Sequence, residues 1–359
     1  MMQEKELKSV RVLIVDDSAF TRQTIKRMLE KAPNIEIVGV ATDGYDGMRK
    51  ILKFKPDVIT LDLEMPEMDG FTLLRWIMEE SPMPVIVVSS HGESSTVFQA
   101  LELGAVDFVV KPTQVASREL EQIEGDLLRK VMGVASLRME RIKKSIALLE
   151  HKGVISNFKP VEPGPKPDIE IVAIGASTGG PTAIQSIVSK FPGDFPAAML
   201  ISQHMPPGFT KEFAQRINKL SALTVKEAED GEALEKGKVL ICPGDHHVML
   251  NRRKDGITVN LKKSSVTDIY IPSIDIMMRS VAQVYGARAM GIVLTGMGSD
   301  GKTGMKEIKA RGGFTIAESE ESAVIFGMPK EAILAGAVDK VLALEEIPVE
   351  ILRRIRGLS

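Results

Sequence analysis

The chain has 359 residues, 44% of them hydrophobic and 26% charged, and a net charge of −2 at pH 7. That length exceeds what one hydrophobic core usually fills, so two domains are expected, and the composition excludes a disordered or fibrous chain. The charge balance gives no basic footprint for nucleic acid, the single Cys242 closes no intrachain disulfide, and no apolar run reaches the ~20 residues that span a bilayer.

Residues 1–10 show no apolar core of an export signal, so a cytoplasmic location is expected. From there to about residue 128, short apolar strands at 10–15, 36–41, 58–61, 84–88 and 107–110 alternate with helical patterns such as 21–31 and 70–80. Five βα repeats predict a parallel five-stranded sheet covered on both faces, with ligands at the carboxyl ends of the strands. Those ends carry Asp16 and Asp17, Asp62, Ser89 and Ser90, and Lys111 followed by Pro112. Three carboxylates converging on one rim repel unless a cation joins them, and all-oxygen ligands suit Mg²⁺.

Residues 15–18 (VDDS), 62–70 (DLEMPEMDG) and 109–112 (VVKP) give this segment its resemblance to the flavodoxin-like receiver domain of two-component response regulators. The resemblance implies that Asp62 accepts a phosphoryl group from a histidine kinase. It further implies that Asp17, the Asp62 carboxylate and the Glu64 backbone carbonyl hold Mg²⁺, with Asp16 in the outer shell. Lys111 and the Ser89 hydroxyl then neutralise the phosphoryl oxygens, and Phe108 stands at the family's aromatic switch position. Such a site is physically sensible, because phosphoryl transfer asks mainly for positioning and charge neutralisation.

Residues 118–149 carry apolar side chains at helical spacing and read as helix, part closing the first domain and part leading outward. The basic group Arg138, Arg141, Lys143 and Lys144 reads as a solvated face with no binding role. Residues 159–168 (KPVEPGPKPD) contain four prolines and read as an extended linker. The expected division is a receiver domain over 8–128, a helical and proline-rich linker over 129–167 and a catalytic domain over 168–359.

The second domain opens with IEIVAIGASTGGP (169–181), a strand buried on both faces followed by a turn of small residues bearing Ser177. The pattern Gly175-Ala176-Ser177-Thr178-Gly179 suits a nucleophile on a sharp strand-to-helix turn, where small flanks avoid collisions and a helix N-terminus favours developing negative charge. A serine needs a histidine base and a carboxylate to hold that base. His204 follows the next buried strand and shares the rim with Ser177, whereas His246 and His247 follow a strand at 238–241 and lead into a hairpin-like 248–261. The loop after a further buried strand, within 289–301, supplies Asp300. In that loop Gly296, Gly298 and Gly301 also match the dinucleotide fingerprint, with Glu318 or Glu320 near the acidic position, so a dinucleotide-dependent oxidoreductase is the main competitor. Against it, a carboxylate beside a diphosphate costs binding through like-charge repulsion, which favours Asp300 as the residue orienting His204. An α/β-hydrolase order of Ser, Asp, His would require a different set, such as Ser177, Asp230 and His246. A DNA-binding output domain would need a basic helix-turn-helix, which this strand-rich half lacks.

GASTGGP (175–181), QHMP (203–206) and LTGMGSDG (294–301), joined to an N-terminal receiver, resemble the chemotaxis protein-glutamate methylesterase family, often called CheB. The resemblance covers both halves and implies a doubly wound, mainly parallel α/β esterase domain. It implies hydrolysis of glutamate γ-methyl esters on chemoreceptors and deamidation of receptor glutamines, with Ser177, His204 and Asp300 as the triad. The backbone at Met297 takes the family's oxyanion position, and Thr178 is suited to contacting substrate. The implied partners are methyl-accepting chemoreceptors and a chemotaxis kinase, with the membrane reached only through the receptors. It also implies an off state in which the receiver covers the esterase rim until Asp62 is phosphorylated. No cofactor is expected in the catalytic domain, the 19 methionines read as core filler, and His246 and His247 read as structural or substrate-edge residues.

Overall fold

The computed structural model describes residues 9–90, 94–112, 118–135, 137, 139–150, 169–254, 256–265 and 267–356. The chain divides into two compact units, Met1–Lys143 and Lys144–Ser359. The proline-rich stretch 159–168 and Arg138 lie outside the described residues.

In the first unit the strands are β1 (Val10–Val15), β2 (Ile35–Ala41), β3 (Val58–Asp62), β4 (Val85–Ser89) and β5 (Asp107–Val110). They form one parallel sheet in the order β2-β1-β3-β4-β5. The helices are α1 (Ala19–Leu29), α2 (Gly44–Phe54), α3 (Gly70–Glu80), α4 (Ser94–Glu102) and α5 (Arg118–Val134). β3 and β4 are buried at every position, as a strand covered on both faces must be. Helix starts follow their caps: the Ser18, Asp43 and Asp69 side chains accept the N–H groups of Thr21, Asp46 and Thr72. Ser18 is why α1 begins at Ala19 rather than at residue 21. The segment read as one helix over 118–149 is two, α5 and α6 (Met139–Glu150). Leu137 N–H turns back to the Val134 carbonyl at 3.0 Å and closes the turn that ends α5.

The second unit holds seven parallel strands in the order β14-β13-β12-β6-β7-β9-β8. They are β6 (Ile171–Ala176), β7 (Ala198–Gln203), β8 (Thr224–Glu227), β9 (Lys238–Ile241), β12 (Ala289–Val293), β13 (Phe314–Glu318) and β14 (Lys340–Leu342). A separate antiparallel hairpin pairs β10 (His246–Arg253) with β11 (Gly256–Lys263). Both histidines of the doublet therefore lie inside β10 and not ahead of the hairpin. The covering helices are α7 (Gly180–Val188), α8 (Phe209–Leu220), α9 (Ile274–Tyr285), α10 (Lys302–Ala310), α11 (Met328–Leu334) and α12 (Ile347–Ile355). Chain order reverses about β6, which pairs with β7 on one side and β12 on the other, so the carboxyl ends of these three strands form the expected binding rim.

Candidate active site

Ser177 and His204 each follow directly on a buried strand. The parallel register pairs Ala176 with Gln203, so the two residues stand side by side one step beyond the last pair, on strands about 4.8 Å apart. His204 N–H donates to the Ala176 carbonyl at 3.1 Å and holds that step. Asp300 comes from the loop between β12 and α10, and its Oδ2 lies 2.9 Å from His204 Nε2. An ionised carboxylate only accepts, so Nε2 carries the hydrogen and Nδ1 keeps the lone pair that a general base requires.

Asp300 is buried at 3% exposure, and the start of α9 is folded around it. Its carboxylate accepts N–H groups from Ile274 at 2.7 Å, Asp275 at 2.9 Å and Gly301 at 3.1 Å, and the Ser273 hydroxyl at 3.3 Å. Burial alone would raise the Asp300 carboxyl, but the hydrogen bond and charge of His204 and the Asp275 and Ile274 N–H groups outweigh it and hold it below the ordinary range. Ionised Asp300 is thus held by a helix N-terminus on one side and by the imidazole on the other.

The Ser177 turn is pinned by backbone bonds. Ser177 N–H donates to Thr295 O at 3.0 Å, and the Ser177 carbonyl accepts Gly180 N–H at 2.8 Å and Gln203 Nε2 at 2.9 Å. Gly179 has φ of 77°, and a Cβ there would stand 2.7 Å from Val324 Cβ. A Cβ on Gly296 would stand 2.7 Å from Ser177 Cβ, so the Gly296 backbone is pressed against the Ser177 turn. Thr178 is buried at 3% exposure, and its carbonyl accepts the Thr295 hydroxyl at 2.9 Å.

The competing residues are occupied elsewhere. Asp230 accepts Leu261 N–H at 2.8 Å, and His246 Nδ1 meets Asp245 at 2.6 Å. Glu318 is fully buried and accepts Thr295 N–H at 2.7 Å and the Ser322 hydroxyl at 2.9 Å, so it braces the Ser177 turn through Thr295 and does not face a ribose. Sequence reasoning missed Tyr270, whose ring stacks on His204 at 5.1 Å and 10°. Its placement just ahead of the N-cap Ser273 was the available signal.

At the rim of the first unit, carboxylate oxygens of Asp16, Asp17 and Asp62 lie within 4.8 Å of one another. Lys111 Nζ donates to Asp62 Oδ2 at 2.8 Å and Glu64 N–H to Oδ1 at 3.2 Å. Burial first, and then the charge of Asp62, pushes the Asp16 carboxyl up to about 7. Burial likewise raises Asp62 against the pull of Lys111. Asp16 Oδ2 is buried without a hydrogen-bond partner, so this cluster fits a small oxygen-seeking cation. Ser89 and Phe108 are both buried, and Lys130 stands 5.2 Å from the centre of the Phe108 ring.

Comparison with known proteins covers both units. The family model described as CheB methylesterase matches residues 172–351, and that of the response regulator receiver domain matches 12–123. A Geobacter sulfurreducens protein named protein-glutamate methylesterase/protein-glutamine glutaminase 3 is 48% identical, over 98% of this chain and 99% of its own. A Pyrococcus abyssi protein named protein-glutamate methylesterase/protein-glutamine glutaminase is 42% identical over 97% of this chain and 94% of its own. The crystal structure of the Thermotoga maritima CheB methylesterase catalytic domain is similar at 43% identity with a TM-score of 0.50, covering 51% of this chain and 97% of that one. Two family models in the order receiver then esterase, and full-length relatives at this identity, leave no room for the dinucleotide reading: the chain belongs to the CheB methylesterase family, with a response-regulator receiver domain ahead of its esterase domain.

Proposed function

We propose that this chain hydrolyses glutamate γ-methyl esters on methyl-accepting chemoreceptors, and deamidates receptor glutamines, through Ser177, His204 and Asp300. His204 Nδ1 takes the Ser177 proton as the oxygen attacks the side-chain carbonyl, giving a tetrahedral oxyanion beside the Met297 backbone. Collapse breaks the bond to methoxide or to the amide nitrogen, and the imidazolium returns its proton, so methanol or ammonia leaves and an acyl-Ser177 remains. Water deprotonated by His204 then attacks the acyl carbon, releasing the glutamate carboxylate and restoring the serine. Asp300 stays ionised throughout and fixes the tautomer. Thr178 shapes the turn beside the nucleophile. The observation that carries this reading is the 2.9 Å pairing of His204 Nε2 with a carboxylate cradled by three N–H groups, directly beside Ser177. Mass spectrometry of receptor peptides tests it: wild type removes methyl groups and converts glutamine to glutamate, and Ser177→Ala does neither. Glutamine conversion persisting in Ser177→Ala would assign deamidation to another site.

For the receiver, we propose that Asp62 accepts the phosphoryl group of a chemotaxis histidine kinase. Asp17, Asp62 and the Glu64 backbone carbonyl would hold Mg²⁺, with Asp16 behind them. Bound Mg²⁺ supplies charge neutralisation on the transferring phosphoryl oxygens. Lys111, already on Asp62, neutralises a further oxygen, and Ser89 moves to the phosphoryl group with Phe108 following. The unphosphorylated receiver represses the esterase, and phosphorylation relieves it. Cytoplasmic action follows from the kinase as donor; no helix among the described residues is long and apolar enough to cross a membrane.

A further inference from the structure

His247 is buried at 2% exposure and uses both ring nitrogens. Nε2 lies 2.9 Å from Asp268 Oδ2, and Nδ1 accepts the Ser273 N–H at 3.0 Å. A carboxylate cannot donate and a backbone N–H cannot accept, so one protonation state alone serves both bonds: the neutral imidazole with its hydrogen on Nε2. Asp268 and Ser273 are the two ends of a six-residue loop, and one side chain of β10 therefore staples it shut. Both things this loop delivers touch His204 or its partner. Tyr270 stacks on the His204 ring, and Ser273 is the N-cap of α9, whose hydroxyl and following N–H groups hold Asp300. Pro272 O also accepts the Ser202 hydroxyl at 3.2 Å, tying the loop to the end of β7 two residues before His204.

We propose that His247 is a positioning residue for the esterase reaction, holding the 268–273 loop so that Tyr270 and the Asp300 cradle fix the His204 imidazole. This rests on the reading of His204 as the general base. It separates the two histidines of the doublet: His246 is half-exposed on Asp245, whereas His247 acts through the loop and never meets substrate. Loss of the staple lowers the rate of Ser177 attack and leaves receptor binding intact, because the residues it moves lie behind the imidazole. A displacement on the order of 1 Å at such a position costs up to about 10²-fold in turnover.

Asparagine and glutamine replacements separate the two bonds. An Asn oxygen reaches the place of Nδ1 and still accepts Ser273 N–H; a Gln amide reaches the place of Nε2 and leaves that N–H unpaired. In the full-length chain, His247→Gln is expected to lower kcat on methylated receptor by roughly 10–10²-fold with KM within about twofold, and His247→Asn, which loses the Asp268 bond but keeps Ser273 N–H paired, to lower it less. Inactivation of Ser177 by a fluorophosphonate, which bypasses receptor binding, is expected to slow in the same order. His247→Ala adds a third variant, and the Asn/Gln contrast decides the matter even if the alanine chain fails to fold. Unchanged kcat in folded His247→Gln, or a raised KM at constant kcat, overturns the proposal and makes His247 structural or a substrate contact. Failure of the reading beneath it looks different: Ser177→Ala or His204→Ala would then retain turnover.

Discussion

Replacing Asp300 distinguishes its chemical role from its structural one, because the carboxylate both holds His204 and caps α9. Alanine would leave the N–H groups of Ile274, Asp275 and Gly301 without their acceptor in a buried site. At ~1–3 kcal/mol for each unpaired group the cost is at least about 3 kcal/mol, a large part of the ~5–15 kcal/mol that holds a domain together. A dead Asp300→Ala enzyme would therefore say little about catalysis. Asp300→Asn keeps one acceptor oxygen and the shape, so its expected loss of stability is ~1–3 kcal/mol. Its effect on turnover is larger, because an amide can hold the imidazole in the wrong tautomer; related triads lose about 10⁴-fold, or ~5 kcal/mol of transition-state stabilisation. The acid side gives a second signature. The folded Asp300 carboxyl lies below its ordinary value of 3.8, so its ionised form stabilises above that pH and this contribution is lost as pH falls through the folded value. Asp300→Asn lacks that dependence. The assay is kcat on methylated receptor beside thermal unfolding at pH 7 and at pH near 3. A folded Asp300→Asn enzyme within tenfold of wild-type kcat would refute the assignment.

Asp62→Asn is expected to abolish Mg²⁺-dependent phosphorylation while leaving basal esterase activity intact; acid-stable phosphate on that variant would contradict the acyl-phosphate site. Glu318 is pushed up to about 7 by burial, so the folded state binds its proton more tightly than the unfolded chain and stability falls as pH rises from about 4.5 to 7. Glu318→Gln removes that decline, and parallel melting curves for the two proteins across this range would disprove it. A fragment beginning at Pro160 is expected to exceed the unphosphorylated full-length chain in esterase rate and to ignore phosphodonors. Tenfold release needs only ~1.4 kcal/mol of coupling; a folded fragment no faster than the parent would exclude repression by the receiver.

β3, β4 and β6 were legible because each carries a β-branched apolar run too continuous for a half-solvated sheet, and all three are buried throughout; the short or edge strands β8, β13 and β14 were not read. The rim residues followed, since a parallel sheet places what comes after each strand at one edge. Resemblance rather than spacing decided between Asp300 as a triad carboxylate and Gly296–Gly301 as a phosphate loop, for one sequence pattern serves both. What escaped was non-local. Nothing in two adjacent histidines says that one bonds residues 21 and 26 positions away while its neighbour meets Asp245. Glu318 stood at a plausible ribose distance in sequence, yet its carboxylate turns inward to Thr295 N–H. The break between α5 and α6 was hidden because Val134 and Leu137 keep helical apolar spacing, although Leu137 N–H bonds the Val134 carbonyl.

The most direct test of the account counts volatile methanol from a receptor carrying radiolabelled methyl esters, with wild type, Ser177→Ala, His204→Ala and His246→Ala side by side. Wild type and His246→Ala are expected to release methanol at comparable rates, and the other two folded variants to fall by about 10⁴–10⁶-fold. Activity in His204→Ala together with its loss in His246→Ala would contradict it.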